Sequence, residues 1–586
     1  MKFGNKYGVP VIGLALAAMS CAPAVVRTQL VPYDSSTDKW VRKTLSKMNL
    51  EEKIGQMICC RYNAHFVNHD SDYVKDLVAL VAQQKIGGLV IFAGEVYETA
   101  HLTNYFQQQA RIPLLIAADF EWGAAMRISG TTLFPPLMAV GAANSEDLAY
   151  QMGRVTAQEG RAMGIHMTYS PVADVNINPD NPIISARSLG ENPADVGRLA
   201  AAFIKGCQAN GMVATAKHFP GHGDTAIDSH SLLPTISADL ERLEKVEIYP
   251  FVRAIEAGVE AIMTAHLHVP ALDPTPGLPA TLSPAILTDL LRKKLKFKGL
   301  LVTDAMGMGG ITSAFTPQDA ALRAVRAGAD MVLLPPDPPG VIAALVQAVR
   351  SASIPQARID ESVTRILALK ARLGLPRNRL VDVAALPQKV ASQPNLQQAA
   401  LTFEKAVTLV KNEGEVLPIS VQLSGRKIAV LSLSSDADDY YAGSVFIREL
   451  QKRRRGIYAF YADAFAGKDY IKEAKAKAMD ADIVVLALFS SLRTAKGSVD
   501  LLPKHIDLVR ELSWAKKKTV VLSFGSPYFL KHFPEVNAYI CLYRNTAQAQ
   551  EVAARAVCGE IEITGRLPVS IPGLFPAGHG VILKPR

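Results

Sequence analysis

The chain has 586 residues, which is too long for one compact core and favours two domains. Its composition, 49% hydrophobic and 20% charged, excludes a disordered chain, a collagen and a small disulfide-stapled scaffold. The formal net charge of +9 is not gathered into one stripe. The densest basic run, Lys452 to Arg455, is typical of a solvated helix end, so we expect no nucleic-acid partner.

The N-terminus has the pattern of a secretory signal. Lys2 and Lys6 precede an apolar run, Val9 to Ser20, which is too short for a stable membrane span. Residues 18–21, Ala-Met-Ser-Cys, resemble a bacterial lipoprotein box in which Cys21 is lipidated, although Ala18 stands where Leu is usual. A plain signal peptide cleaved nearby is the alternative. Residues 1–21 therefore predict export across the inner membrane, to the periplasm or to a lipid anchor.

The five other cysteines suggest no disulfide and no metal site. Five is an odd number, and their spacing matches no metal-ligand motif. Cys59 and Cys60 lie in an apolar run and are typical of buried small hydrophobic residues. We therefore predict no disulfide.

Eight apolar runs of strand length alternate with helix-length amphipathic segments across residues 35–375. They are Met57–Cys60, Ile86–Phe92, Leu114–Asp119, Met167–Ser170, Val213–Lys217, Ala261–Ala265, Leu300–Thr303 and Met331–Leu334. Continuous apolar runs in such alternation indicate a parallel sheet covered by helices. Eight of them predict a (β/α)8 barrel of the TIM type.

A second α/β region is predicted beyond this barrel. Between residues 376 and 396 the chain loses its hydrophobic period and contains Pro376 and Pro387, which indicates a linker. Residues 397–586 predict an α/β/α sandwich domain. Its expected strands are Lys427–Leu433, Asp482–Leu488, Thr519–Phe524 and Ala538–Leu542.

Polar side chains at the predicted strand ends mark the candidate active site, because catalytic groups of such barrels lie at the carboxyl ends of the strands. A single carboxylate there, such as Asp304, could equally cap the next helix. Four strand ends with ionisable groups are harder to explain by capping. The groups are Asp119, Glu121, Lys217, His218, His266, His268 and Asp304.

The densest motif is Lys217–Asp224, Lys-His-Phe-Pro-Gly-His-Gly-Asp, followed by Asp228-Ser229-His230. One chemistry that fits is general acid/base catalysis, with Asp228 orienting His230 and raising its pKa. The other is metal ligation, as in metal-dependent hydrolases on a barrel. Its ligands would be His218, His222 and Asp224, with His266 and His268 as further candidates.

This motif resembles the signature of family 3 glycoside hydrolases, in the β-N-acetylglucosaminidase branch. Other elements along the chain resemble the same family: Asp119–Gly123 with Arg127, Asn181–Gly190, Met263–His266, Val302–Met308 and Gly565–Pro568. The resemblance implies a barrel followed by a sandwich domain, and a retaining exo-acting β-N-acetylhexosaminidase. No cofactor is implied.

The resemblance also implies roles for single residues. Asp304 corresponds to the nucleophile that forms a covalent glycosyl-enzyme, His230 to the general acid/base and Asp228 to its partner. The residues that hold the hydroxyls and the N-acetyl group of the sugar correspond to Asp119, Arg187, Lys217, His218 and, less directly, Arg127, which could instead support Asp119 or Glu121.

Two positions depart from the family pattern. Trp122 replaces the first glycine of the Gly-Gly pair, so a large ring is expected near the pocket, either stacked on the substrate or filling space behind it. Leu189 replaces Phe. Both departures bear on the choice of substrate rather than on the reaction.

Several interpretations remain open at this stage. The expected substrates are GlcNAc-terminated muropeptides or chitin fragments, and either water or phosphate could accept the sugar. A metal-dependent hydrolase would lose activity with a chelator. A non-catalytic sugar-binding lipoprotein would have no need of Asp304. A β-glucosidase of the same family would generally take its acid/base from elsewhere than Asp228-Ser229-His230.

Overall fold

The computed structural model describes residues 35–419, 426–436, 442–490 and 501–586. The predicted signal peptide, residues 1–21 with Cys21, lies outside these ranges. No helix in the described ranges is both long enough and apolar enough to cross a bilayer.

Nine strands of the first part of the chain form one sheet in which every pairing is parallel. They are β1 Ile58–Ala64, β2 Gly88–Glu95, β3 Leu115–Ala118, β4 Ile128–Ser129, β5 Met167–Thr168, β6 Val213–Phe219, β7 Ala261–Thr264, β8 Leu300–Val302 and β9 Val332–Leu333. Their order is β8-β7-β6-β5-β3-β2-β1-β9, and the short β4 pairs with β2. A parallel bridge between Val302 and Met331 joins the two ends. The predicted eight-stranded barrel is confirmed, with β4 as an addition.

The barrel strands are apolar along their whole length because both of their faces are covered. All seven residues of β6 and all four of β3 are buried. A π-helix, Ala285–Lys294, lies between β7 and β8. The α-helices of this part are Ser35–Leu45, Leu50–Gln56, Asp72–Ala82, Val96–Gln109, Leu137–Ala143, Glu146–Ala162, Pro193–Ala209, Leu240–Lys245, Tyr249–Glu256, Gly309–Thr312, Pro317–Ala327, Pro338–Arg350 and Gln356–Arg372.

Two helices occupy part of the stretch assigned to the linker. Helix Leu386–Lys389 lies inside residues 376–396, and helix Gln393–Ala406 begins there. The carboxylate of Glu159, on a barrel helix, accepts hydrogen bonds from the backbone N–H of Ala391 at 3.0 Å and from Asn395 at 3.2 Å. These contacts attach the stretch to the barrel. The domain boundaries at 375 and 396 stay a prediction.

Within the described residues, the second sheet has six strands in the order β10-β15-β14-β13-β11-β12. They are β10 Thr408–Asn412, β11 Ile428–Ser434, β12 Ile457–Ala462, β13 Ile483–Phe489, β14 Lys518–Ser523 and β15 Ala538–Cys541, with helices Ser444–Arg453, Lys468–Asp480, Pro503–Trp514 and Ala547–Val557. Among these described strands, only β10, at one edge, runs antiparallel to its neighbour.

Each face of this second sheet packs into its own hydrophobic cluster. Along β13, Val484 and Leu486 belong to one cluster, whereas Ile483 and Val485 belong to the other. Because side chains alternate along a strand, this division requires a layer on both faces. The predicted α/β/α sandwich is confirmed. The edge strands β10 and β12 were not predicted.

Candidate active site

A cavity of about 740 Å³ lies at the carboxyl ends of the barrel strands, a size common for small-molecule sites. Seven of the eight predicted site residues line it: Asp119, Arg127, Arg187, Lys217, His218, His230 and Asp304. The eighth, Asp228, contacts the ring of His230. Loops that are far apart in sequence therefore meet at the carboxyl ends of the barrel strands, where the active site was predicted.

Lys217 is the centre of a buried ion cluster. Its Nζ donates to Asp119 Oδ1 at 2.8 Å and lies 2.7 Å from Glu121 Oε1, while its side chain is only 3% exposed. Burial opposes the charge on Lys217, but the two carboxylates outweigh it and raise its pKa. Burial likewise opposes ionisation of Asp119, yet Lys217 and Arg127 lower its pKa. The cluster therefore stays ionised at neutral pH.

Two arginines complete this cluster. Arg187 makes a bidentate pair with Glu121, with Nε and Nη2 each donating over 2.8 Å. Arg127 Nη2 donates to Asp119 Oδ2, also at 2.8 Å, so Arg127 supports Asp119, which the sequence analysis gave as the alternative to sugar binding. Despite burial, Arg187 and Lys217 hold the pKa of Glu121 far below its usual range. Three cations thus face two carboxylates, so this ion cluster carries a net positive charge.

Asp174 is a buried carboxylate that the sequence analysis did not single out. Its Oδ2 accepts a hydrogen bond from His218 Nδ1 at 2.7 Å. Its Oδ1 accepts from the backbone N–H groups of His218 at 3.0 Å and His222 at 2.8 Å. In the neutral His218 ring, Nε2 is then left to accept from Arg187 Nη2 at 3.4 Å. Asp174 follows β5, so the strand-end rule, applied to that strand, would have found it.

His222 holds the glycine-rich loop together. Its Nδ1 lies 3.0 Å from Thr225 Oγ1, and its Nε2 lies 2.9 Å from Ser229 Oγ. Burial lowers the pKa of His222 to about 4, so its ring is neutral at neutral pH. Asp224 pairs with Arg242 at 2.7 Å on the outer side of the loop. Through these contacts His222 and Asp224 help to hold the shape of the loop.

His230 and Asp228 form a close pair next to the cavity. His230 Nδ1 donates to Asp228 Oδ1 at 2.8 Å, and the backbone N–H of His230 donates to the same oxygen at 2.9 Å. This pairing leaves the His230 Nε2 available to a substrate. The carbonyl groups of Ser229 and His230 accept from the N–H groups of Gly310 and Gly309, at 3.1 and 3.0 Å. The loop therefore docks on the segment that follows β8.

Asp304 follows β8 and faces the same cavity. Burial opposes its ionisation, but His218, His266 and the backbone N–H of Ala305, which donates to Oδ1 at 2.7 Å, together lower its pKa. His266 Nε2 donates to the carbonyl of Ala305 at 3.0 Å, and its Nδ1 lies 2.8 Å from Thr281 Oγ1. His266 thus supports the backbone next to Asp304.

The side chains considered as metal ligands are arranged differently. Four of them, His218, His222, Asp224 and His266, are paired with Asp174, Thr225, Ser229, Arg242 and Thr281. The fifth, His268, has a buried Nε2 with no hydrogen-bond partner among the described residues. Within the part of the chain that the structure describes, no group of three or more His, Cys, Asp or Glu is placed to hold a metal ion. The hydrogen-bonded pair of His230 and Asp228 has the geometry that acid/base catalysis requires.

Comparison with known proteins agrees with the fold and with the motifs. Residues 49–369 match the glycosyl hydrolase family 3 N-terminal domain, and residues 407–574 match the glycosyl hydrolase family 3 C-terminal domain. The chain belongs to glycosyl hydrolase family 3. The predicted family is confirmed, as is the prediction of a glycoside hydrolase.

Similar proteins cover nearly the whole chain. A β-hexosaminidase A from Pseudoalteromonas piscicida is 35% identical over 558 residues, covering 85% of this chain and 91% of its own. A β-N-acetylglucosaminidase/β-glucosidase from Cellulomonas fimi is 29% identical over 557 residues, with 90% and 95% covered. The solved family 3 β-N-acetylglucosaminidase from Paenibacillus sp. str. FPU-7 superposes with a TM-score of 0.80 at 31% identity, covering 89% and 99%. A solved β-glucoside phosphorylase gives a TM-score of 0.82 at 26% identity, covering 93% and 99%.

Proposed function

We propose that this protein is a retaining exo-β-N-acetylhexosaminidase that removes terminal β-linked GlcNAc. The observation that carries the proposal is that Asp304 and His230 line the same cavity of a family 3 barrel, and that Asp228 is hydrogen-bonded to His230. The similar β-hexosaminidases and the solved β-N-acetylglucosaminidase support the choice of sugar.

In the first half-reaction, Asp304 attacks the anomeric carbon as its carboxylate. The bond from that carbon to the leaving oxygen breaks, and His230 donates its Nε2 proton to this oxygen. The result is a glycosyl ester on Asp304 and a free aglycone. Asp228 assists because it accepts from Nδ1, which keeps the second nitrogen directed at the substrate and stabilises the imidazolium.

In the second half-reaction, His230 acts as a base. It removes a proton from water, and the water oxygen attacks the anomeric carbon and displaces Asp304. Two inversions give overall retention of the β configuration. The low pKa of Asp304 suits both steps, because this carboxylate must be ionised before attack and must leave as an anion.

The ion cluster around Lys217 provides the sugar-binding wall. The side chains that line the cavity here are Asp119, Arg127, Arg187, Lys217 and His218. They would bind the hydroxyls and the N-acetyl group. Because these groups are already paired with one another, they are held in place before the substrate arrives, which reduces the entropic cost of binding.

Phosphate is a second candidate acceptor. The likeness to a β-glucoside phosphorylase and the excess of cations in the ion cluster around Lys217 favour it. An uncharged or cationic histidine also repels an incoming phosphate less than a carboxylate would. GlcNAc 1-phosphate among the products would identify this activity.

We further propose muropeptides or chitooligosaccharides as substrates and the periplasm, with or without a lipid anchor at Cys21, as the location. The apolar run before Cys21 supports export. Radiolabelled palmitate incorporation in cells, compared between wild type and Cys21→Ser, would test the anchor.

The decisive assay compares p-nitrophenyl β-GlcNAc with the β-glucoside, with and without EDTA and phosphate. We expect cleavage of the GlcNAc compound that survives EDTA and is lost in Asp304→Ala. His230→Ala should be less impaired on this substrate, because its good leaving group needs little protonation. Activity that EDTA abolishes would favour a metal-dependent hydrolase. Binding of GlcNAc without turnover would favour a sugar-binding protein.

A further inference from the structure

The second domain reaches a loop of the active site through a buried hydrogen bond. Tyr528 lies on a short 3-10 helix of this domain, Pro527–His532, and its hydroxyl accepts a hydrogen bond from Asn176 Nδ2 at 3.0 Å. Asn176 belongs to the loop between β5 and the next long helix, residues 169–192, which we call the β5 loop, and it lies two residues beyond Asp174. Asn176 is fully buried and Tyr528 is 4% exposed. Because the bond is shielded from water, the loss of either partner is costly.

Tyr528 also belongs to an apolar cluster that the two domains share. From the barrel, this cluster includes three residues of helix Leu137–Ala143, namely Met138, Ala139 and Ala142. Ala186 of the β5 loop packs against the same cluster. The apolar contact between the domains therefore extends to the residue that precedes Arg187.

Two further contacts join the domains close to the cavity. The backbone N–H of Glu191 donates to the carbonyl of Pro568 at 3.0 Å, and the N–H of Ser570 donates to the Glu191 carboxylate at 2.7 Å. The guanidinium carbon of Arg544 lies 3.9 Å from the centroid of the ring of Trp122, which lines the cavity. The β5 loop is thus attached to the second domain at its far end as well.

The β5 loop in turn supports the glycine-rich loop. Asn181, which is buried, donates from Nδ2 to the carbonyl groups of His222 and Gly223, each at 3.0 Å. A Cβ at Gly223 would lie 1.7 Å from the carbonyl oxygen of Val175, so the two backbones touch there. Val175 directly precedes Asn176. The residue that Tyr528 contacts is therefore next to the point where the two loops meet.

The glycine-rich loop carries this support on to the acid/base. His222 Nε2 lies 2.9 Å from Ser229 Oγ, and Ser229 directly precedes His230. Gly309 and Gly310 hold the other side of the loop through its carbonyl groups. Proton transfer requires that His230 Nε2 come within hydrogen-bond distance of the leaving oxygen, and a displacement of about 1 Å can cost about 100-fold in rate. Contacts that fix His222 therefore bear on the rate of protonation.

We propose that Tyr528 is a positioning residue for the acid/base His230, and that the second domain acts through it. Tyr528 holds Asn176, the β5 loop holds His222, and His222 holds Ser229 beside His230. The inference rests on the proposed function and gives the second domain a part in it. Tyr528 is outside the cavity lining, so it acts through these contacts and not on the substrate.

The test measures kcat/KM of the full-length protein for phenyl β-GlcNAc and for p-nitrophenyl β-GlcNAc. Tyr528→Phe keeps the ring in the apolar cluster but leaves the Asn176 amide without its acceptor. We expect kcat/KM for the phenyl compound to fall about 5- to 150-fold, the range for an unsatisfied buried donor. The p-nitrophenyl compound should be affected much less, because its good leaving group needs little protonation. A purely structural loss would lower both substrates by the same factor.

Asn176→Leu removes the same hydrogen bond from the barrel side and should give the same dependence on the leaving group. The double variant should lose no more than the more impaired single variant, because both changes break one bond. Tyr543→Phe is the matched control: Tyr543 is also a buried tyrosine of the second domain, but its hydroxyl pairs with Thr408 of that domain at 2.8 Å. It should leave the ratio of the two substrates unchanged. Thermal melts show which variants are folded, and if Tyr528→Phe is not, Asn176→Leu decides.

Three results would overturn the inference while leaving the proposed function intact. The first is a Tyr528→Phe enzyme that behaves like Tyr543→Phe. The second is an equal loss on both substrates in Tyr528→Phe and Asn176→Leu. The third is a double variant in which the two losses add, since the residues would then act independently. A wild type that cleaves neither substrate would instead refute the proposed function, and the inference with it.

Discussion

The buried carboxylate of Asp174 offers a sharp test of how the sugar-binding loop is held. It accepts three hydrogen bonds, two from backbone N–H groups and one from His218 Nδ1 at 2.7 Å, and it is fully buried. Asp174→Asn keeps the shape and one acceptor oxygen, but it places an NH2 group against Nδ1. The His218 ring must then move its proton to Nε2, which faces the donor Arg187.

The expected loss follows from the bonds that change. A hydrogen bond to a charged group contributes about 1.5–3 kcal/mol, and each 1.4 kcal/mol is about a factor of ten. We therefore expect kcat/KM to fall about 10- to 150-fold in Asp174→Asn. Asp174→Ala should lose more, and also stability, because three buried donors are left without an acceptor.

The assay compares p-nitrophenyl β-GlcNAc with phenyl β-GlcNAc, which has the poorer leaving group. Asp174→Asn should lower kcat/KM equally for both, since His218 is proposed to bind the sugar. Asp228→Asn is the matched control, with the same kind of carboxylate–histidine pair at 2.8 Å. It should affect the phenyl compound more, because His230 must protonate that leaving group. The reasoning is refuted if Asp174→Asn keeps its activity, or if it shows the leaving-group dependence of Asp228→Asn.

Three further predictions concern the loop and the ion cluster. Gly309→Ala places a methyl group 2.8 Å from the carbonyl of His230, so hydrolysis of phenyl β-GlcNAc should slow about tenfold or more. Gly467→Ala, with open space around it, should change nothing. Burial lowers the pKa of His222 from 6.5 to about 4, so the unfolded chain binds a proton that the folded chain does not. The free energy of unfolding should therefore fall by up to about 3 kcal/mol as the pH drops from 6.5 to about 4. Urea titrations at a series of pH values should show that this free energy depends less on pH in His222→Asn. Lys217→Met leaves two buried carboxylates without their shared cation. A urea titration should therefore show that the free energy of unfolding falls by about 3–5 kcal/mol, and the kinetic assay should show no turnover. A variant of near-normal stability would contradict this account.

The repeating strands were predictable because each one is buried on both faces. An apolar run such as 213–217 needs only local sequence to be recognised, and the structure places β6 there. The short strand β4 and the edge strands β10 and β12 were missed. The sequence of β12, Ile-Tyr-Ala-Phe-Tyr-Ala, is a strand-length apolar and aromatic run that was overlooked. Only one of its six residues is buried, because the strand lies at the edge of the sheet.

The candidate site could be predicted as a set of residues, but not as a set of contacts. The strand-end rule and the family motifs selected the side chains that line the cavity. Neither could show that Lys217 lies between Asp119 and Glu121, or that Asp174 supports His218. Asp174 was overlooked because it lies on the irregular loop beyond β5 and not directly at the end of that strand, which the sequence had indicated.

What the sequence by itself determined is the order of strands and helices, the barrel and sandwich classes, and the residue types available for chemistry. These follow from hydrophobic period and from motifs, both of which are local along the chain. The tertiary structure decided which side chains meet. Arg187 pairs with Glu121 and Arg544 covers Trp122 because strands and domains pack together, and contacts between residues so far apart in sequence depend on that packing rather than on any local pattern.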